Sequence, residues 1–263
     1  MLLSGKTVLL TGATGGLGQA IARRLHRSGA QLILTGRRTD VLAPLAQELD
    51  AQSLASDLAD RDAVARLADE CADVDVLVAN AALPASGPLT SFASEEIDRA
   101  LDVNLRAPVI LARVLGERMA ARGNGHLVFI SSLNGKSGTA GASMYSATKF
   151  GLRGFGQGLR EDMHPVGVGV SVVFPGFISG AGMFADTEVE LPRGVGMSTP
   201  DAVADAVADA IERNRGEIDV APLPMRLGAA LAGLAPATSA KVARRAGSHE
   251  VAAQMAAAQS GKR

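Results

Sequence analysis

The sequence predicts a single α/β domain, doubly wound around a seven-stranded parallel sheet with helices on both faces. Short runs rich in β-branched and aliphatic residues alternate with longer stretches of helical period, the pattern of strands joined by crossover helices. A glycine-rich turn closes the first run, and 263 residues suffice for one domain with a sizeable core. Residues 7–10 make the first strand, and Leu17, Ala20, Ile21 and Leu25 then recur at helical spacing until Gly29 ends the helix. Residues 31–35 form strand two, 41–49 a helix and 52–56 strand three. A helix runs through Val64, Leu67 and Ala68, and 75–79 is strand four. One long helix is expected over 94–122, ended by Gly123-Asn124-Gly125. Strand five (126–131), a helix (142–163), strand six (168–174), a helix from near Pro200 and strand seven (218–221) complete the pattern. No repeat of 20–50 residues is visible.

Composition narrows the function classes. Hydrophobic residues at 47% and charged residues at 20% give an ordinary globular balance. With 26 Lys and Arg against 27 Asp and Glu, no net basic field points to nucleic acid. Cys71 is the one cysteine, which excludes an internal disulfide, and its apolar helical setting reads as a buried thiol under reducing conditions. Residues 1–6 lead into a strand instead of a signal peptide, and no 18-residue apolar run is long enough to span a bilayer. A cytoplasmic location is therefore expected. His26, His126, His164 and His249 are dispersed and imply no metal.

The turn Thr11-Gly12-Ala13-Thr14-Gly15-Gly16-Leu17-Gly18 lies between strand one and the first helix. Its glycines allow a sharp turn and close approach to a pyrophosphate, and the helix N-terminus supplies N–H groups for it. The spacing Gly-x-x-x-Gly-x-Gly differs from the commoner Gly-x-Gly-x-x-Gly. At the end of strand two, Gly36 leaves no carboxylate for a ribose 2′-hydroxyl, whereas Arg37 can pair with a 2′-phosphate. Arg38 stacks on adenine or shares that phosphate. NADP(H) is thus the preferred cofactor, with NAD(H) not excluded.

Tyr145, the only tyrosine, precedes Lys149 by four residues on a helix, so both lie on one face. A free phenol, with a pKa of about 10, is too weak an acid for proton transfer near neutrality. A neighbouring ammonium favours the phenolate. Pro108 has no N–H for the Asn104 carbonyl, which is left able to accept from a water; a plain kink is the alternative.

Over about residues 1–222 the chain closely resembles the short-chain dehydrogenase/reductase family. The resemblance rests on the glycine turn, Asp57-Leu58, Ala79-Asn80-Ala81-Ala82, Asn104, Ser132 thirteen residues before Tyr145, the Tyr145/Lys149 pair and Pro175-Gly176. It implies a Rossmann-type oxidoreductase that moves a hydride between nicotinamide and a carbonyl or secondary alcohol. Tyr145 would be the acid or base and Ser132 would hold the substrate oxygen. Lys149 would bind the nicotinamide ribose and lower the tyrosine pKa, and Asn104 would anchor a water. The cofactor would meet Thr11, Gly12, Thr14, Gly16, Leu17, Gly18, Arg37, Arg38, Asp57, Leu58, Asn80, Ala81, Tyr145, Lys149, Pro175, Gly176 and Ile178. Family members usually pair into dimers or tetramers through the helices that carry Asn104 and Tyr145. Two departures stand out: Ala82 replaces the family's usual glycine, and Gly180 replaces threonine, with Ser179 beside it.

More than 20 aperiodic residues after strand six read as a substrate lid, with Met183, Phe184 and Leu191 as an apolar lining for an apolar small-molecule substrate. Residues 223–263 form a helical extension with a frayed tail. Leu227, Leu231 and Leu234 share one face there. That face docks on its own subunit or a partner, or meets a membrane surface together with Lys241, Arg244 and Arg245. A second function class is a regulator that binds NADP(H) without turnover, but such proteins lose the tyrosine or the lysine.

Overall fold

The structure, a computed structural model, describes residues 1–182, 196–245, 248–259 and 261. Seven strands form one parallel sheet: β1 (Thr7–Thr11), β2 (Gln31–Gly36), β3 (Gln52–Ala55), β4 (Val76–Ala79), β5 (Gly125–Ile130), β6 (Val168–Pro175) and β7 (Glu217–Val220). Their order is β3-β2-β1-β4-β5-β6-β7, and every pairing is parallel. The connecting helices are α1 (Gly16–Arg27), α2 (Thr39–Glu48), α3 (Arg61–Glu70), α4 (Ser94–Leu101), α5 (Ala107–Arg122), α6 (Ser143–Met163) and α7 (Pro200–Arg213). Three further helices follow β7: α8 (Leu223–Leu234), α9 (Pro236–Arg245) and α10 (Ser248–Gln259).

Alternation along the strands divides the core into two layers. Val8 and Leu10 of β1 pack with Ile21 and Leu25 of α1 and with Val207 and Ile211 of α7 on one face. Leu9 and Leu77 turn to the other face, against Val64 and Leu67 of α3 and Leu111 and Leu115 of α5. Cys71 is buried at the end of α3, where burial pushes its thiol up to about 11.

The single helix expected over 94–122 is broken. Five residues, Asp102–Arg106, form a π-helical turn between α4 and α5. Pro108 has no N–H for the Asn104 carbonyl, and the bonding shifts register just upstream, where the Ala107 N–H donates to the carbonyl of Asp102. The extension after residue 222 is helical as far as Gln259 among the described residues.

Candidate active site

The C-terminal ends of β1, β4 and β5 converge where the strand order reverses, the place at which open α/β sheets bind ligands. The turn after β1 is tied to the end of β4. Thr11 Oγ1 accepts from the Asn80 and Ala81 N–H groups, both at 3.1 Å, and Asn80 Nδ2 donates to the carbonyls of Thr11 and Gly12, again at 3.1 Å. Gly12 has φ +67°, and a Cβ there would lie 2.7 Å from Ala81 Cα. Only glycine permits both that backbone and that approach. No side chain caps the N-terminus of α1 and no carboxylate stands in its first turn, so its N–H groups suit the phosphates of a dinucleotide.

The chain after β6 folds back over the turn: Ala181 Cβ stands 2.6 Å from where a Cβ on Gly16 would be, and Gly182 nears Leu17. Gly176 is held by its N–H to the Val220 carbonyl at 3.0 Å, and Ile178 is bridged to Ser198. Ile178 is buried, as are Gly18, Leu58 and Pro175. Met183 and Phe184, with Leu191, lie outside the described residues.

At the end of β2 the two arginines diverge. Arg38 donates through Nη2 to the Thr14 carbonyl and so braces the glycine turn. Arg37 is half exposed, with Nη1 4.0 Å from Asp57 Oδ2. The same oxygen lies 3.4 Å from Nη2 of Arg99 on α4, while Asp57 Oδ1 accepts from the Ala59 N–H. Arg99 is the residue that sequence reasoning missed. It comes to Asp57 across 42 positions of chain, and its local pattern is that of a solvated helix residue.

Ser132, Tyr145 and Lys149 come together. Ser132 caps a short 3-10 turn, Leu133–Gly135, and its Oγ accepts from the Asn134 N–H at 3.2 Å. Tyr145 occupies the first turn of α6, where its otherwise unpaired backbone N–H donates to the Ala85 carbonyl at 3.3 Å. Lys149 is 2% exposed, donates from Nζ to the Ile130 carbonyl at 2.9 Å, and lies 5.6 Å from the centre of the Tyr145 ring. Ser131 Oγ in turn donates to the Lys149 carbonyl at 2.9 Å, so the end of β5 and the start of α6 hold each other. A Cβ on Gly135 would lie 2.7 Å from the Lys149 carbonyl oxygen, which explains glycine in the intervening turn.

Burial pushes the Tyr145 phenol up to about 12, and the hydrogen bond from Ser132 opposes that shift. Burial also brings the Lys149 ammonium down to about 8. Lowering of the phenol by Lys149, expected from the sequence, is not what this arrangement gives: the ammonium is turned to a backbone carbonyl and burial sets the shift.

Asn104 is fully buried in the π-helical turn. Its Oδ1 accepts from the Leu83 N–H at 2.7 Å and its Nδ2 donates to the Leu83 carbonyl at 2.9 Å. The side chain is therefore spent on fixing the loop after β4, and only its backbone carbonyl is left for a water. No group of three His, Cys, Asp or Glu side chains able to hold a metal occurs among the described residues.

A family model described as short chain dehydrogenase matches residues 6–191. The chain is 37% identical over 232 residues to the ketoacyl reductase HetN of Nostoc sp. PCC 7120, covering 85% of this chain and 81% of that one. It is 36% identical over 178 residues to the 3-oxoacyl-[acyl-carrier-protein] reductase FabG of Rickettsia conorii, covering 67% and 74%. Among solved structures, a short-chain dehydrogenase from Sphingobium yanoikuyae in complex with NADPH superposes with a TM-score of 0.77 at 27% identity, over 90% of this chain and 95% of that one. A metagenomic short-chain oxidoreductase in complex with NADP gives 0.72 at 35% identity, over 84% and 99%.

Proposed function

The chain belongs to the short-chain dehydrogenase/reductase family, and from that premise we propose that it is an NADP(H)-dependent reductase of ketoacyl-type or similarly apolar carbonyl compounds. It is an NAD(P)-dependent oxidoreductase acting on CH–OH or C=O carbon. One observation carries the finer reading: a single tyrosine, beside Ser132 and backed by Lys149, at the strand ends that also carry the glycine turn.

Nicotinamide, when bound, would supply the hydride chemistry. The protein's part is to hold the carbonyl oxygen and to move one proton. Ser132 donates a hydrogen bond to that oxygen, and Tyr145 gives it the phenolic proton as the new C–H bond forms. Lys149 would anchor the nicotinamide ribose, and the Asn104 carbonyl would hold a water for reprotonation. Reduction is the direction that relatives named as ketoacyl reductases support. Arg37 would pair with a 2′-phosphate, and Asp57 beside it would meet the adenine amino group. A homodimer or homotetramer through the helical segments that carry Asn104 and Tyr145 accompanies this reading.

A screen of β-ketoacyl thioesters and bulky ketones, followed by NADPH absorbance, tests the proposal. Turnover is expected on at least one apolar carbonyl, and Ser132→Ala should lower kcat/KM by about a hundredfold or more. Tight NADPH binding with no turnover on any carbonyl would turn the reading to a cofactor-binding regulator.

A further inference from the structure

Helix α8 has two opposed faces. Ala229 and Ala232 are buried against the domain, with Met225 beside them. Leu223, Leu227, Leu231 and Leu234, spaced four, four and three residues apart, run along the other side and are 63%, 55%, 62% and 84% exposed. Four leucines aligned in water are not scattered surface residues; such a stripe marks a contact surface. Helix α9 continues it with Val242, 61% exposed.

Within residues 220–249 the charged side chains are all of one sign. Arg226, Lys241, Arg244 and Arg245 are exposed, and no aspartate or glutamate occurs between Asp219 and Glu250. This happens in a chain whose net charge is −1, so the cations are concentrated here and not merely abundant. A second copy docking through the same patch about a two-fold axis would set these cations against one another. Exposed leucines on a segment whose charges are all cationic complement a bilayer surface that carries anionic head groups. No helix among the described residues is long and apolar enough to cross a membrane.

We propose that the α8–α9 face docks on an anionic lipid bilayer, with its leucines in the head-group boundary and its cations on the lipid phosphates. The surface adjoins the chemistry. Met225 Cε lies 3.4 Å from where a Cβ on Gly176 would stand, and Ala252 of α10 lies 3.1 Å from the same point on Gly141, just before α6. The extension thus flanks the loops on either side of the substrate position.

Flotation of the full chain with vesicles tests this without reference to turnover. Wild type should float with phosphatidylglycerol/phosphatidylcholine vesicles, less so as salt rises, and not with phosphatidylcholine alone. The Leu227→Ser/Leu231→Ser and the Lys241→Glu/Arg244→Glu/Arg245→Glu variants should each bind about tenfold or more weakly, with circular dichroism and NADPH affinity unchanged. Failure of wild type to float would overturn the proposal, as would variants that fold and float like wild type. So would a leucine variant that only shifts a dimer to monomer in light scattering, which would assign the face to a second copy.

Discussion

At Lys149 the fold keeps an ammonium almost wholly out of water with a single backbone carbonyl for company. The folded chain binds that proton with a pKa near 8, below the ordinary 10.5. Between those values the unfolded chain carries a proton that the folded chain has released, so stability rises with pH across the window. Lys149→Met should therefore stabilise the protein at pH 7 by about 1–3 kcal/mol, flatten that rise, and abolish turnover. Urea melts at pH 7 and pH 10 measure both effects; a less stable variant would contradict the account. Arg37→Ala should weaken NADPH binding by about tenfold, since a half-exposed charged contact is worth the low end of its range, and leave NADH binding unchanged. Equal use of NADH and NADPH by wild type would contradict the phosphate assignment. The Tyr145/Lys149 pair was legible because an i, i+4 spacing fixes a helix face locally. Arg38 and Arg99 were not: which arginine braces the Thr14 carbonyl and which crosses to Asp57 is decided by packing between distant segments.

Elements were legible where hydrophobic period and punctuation agree. Gly29 and Gly123 end their helices with φ +80° and +65°. The break at Asp102–Arg106 was hidden because a π-helical turn keeps a nearly helical spacing of apolar residues, and Pro108 signals a missing bond without saying where the register shifts. The pairing of β7 with the loop behind Ser132 was hidden too. Glu217 and Asp219 lie two residues apart, so both meet Lys136, at 2.9 and 2.6 Å, and its ammonium sits 4.1 Å over the Phe174 ring. Arg153 of α6 adds a second cation to Glu217 at 2.9 Å. Lys136 is only 12% exposed, so Lys136→Met strands Asp219, while Arg153 still pairs with Glu217, and should cost roughly 3 kcal/mol in urea denaturation. Adding Asp219→Asn should recover part of that loss; a neutral single variant would show that the cluster does not hold the loop.

For the whole molecule, seven strands separated by helices admit few parallel arrangements once crossovers are right-handed, which is why fold class followed from alternation alone. The order β3-β2-β1-β4 then does the chemical work of position. It sets β1 beside β4, so that the glycine turn, Asn80 and the end of β5 open on one crevice. Residues 223–259 were legible as helices but not in placement, because what α8 and α10 touch depends on segments far away in sequence. The central claim is that proton transfer to the substrate oxygen passes through Tyr145. Its most direct measurement is NADPH oxidation with a reducible ketone by Tyr145→Phe beside wild type, with NADPH affinity read by fluorescence. The variant should bind the cofactor as tightly and lose about a hundredfold or more of kcat; wild-type turnover by Tyr145→Phe would contradict the assignment.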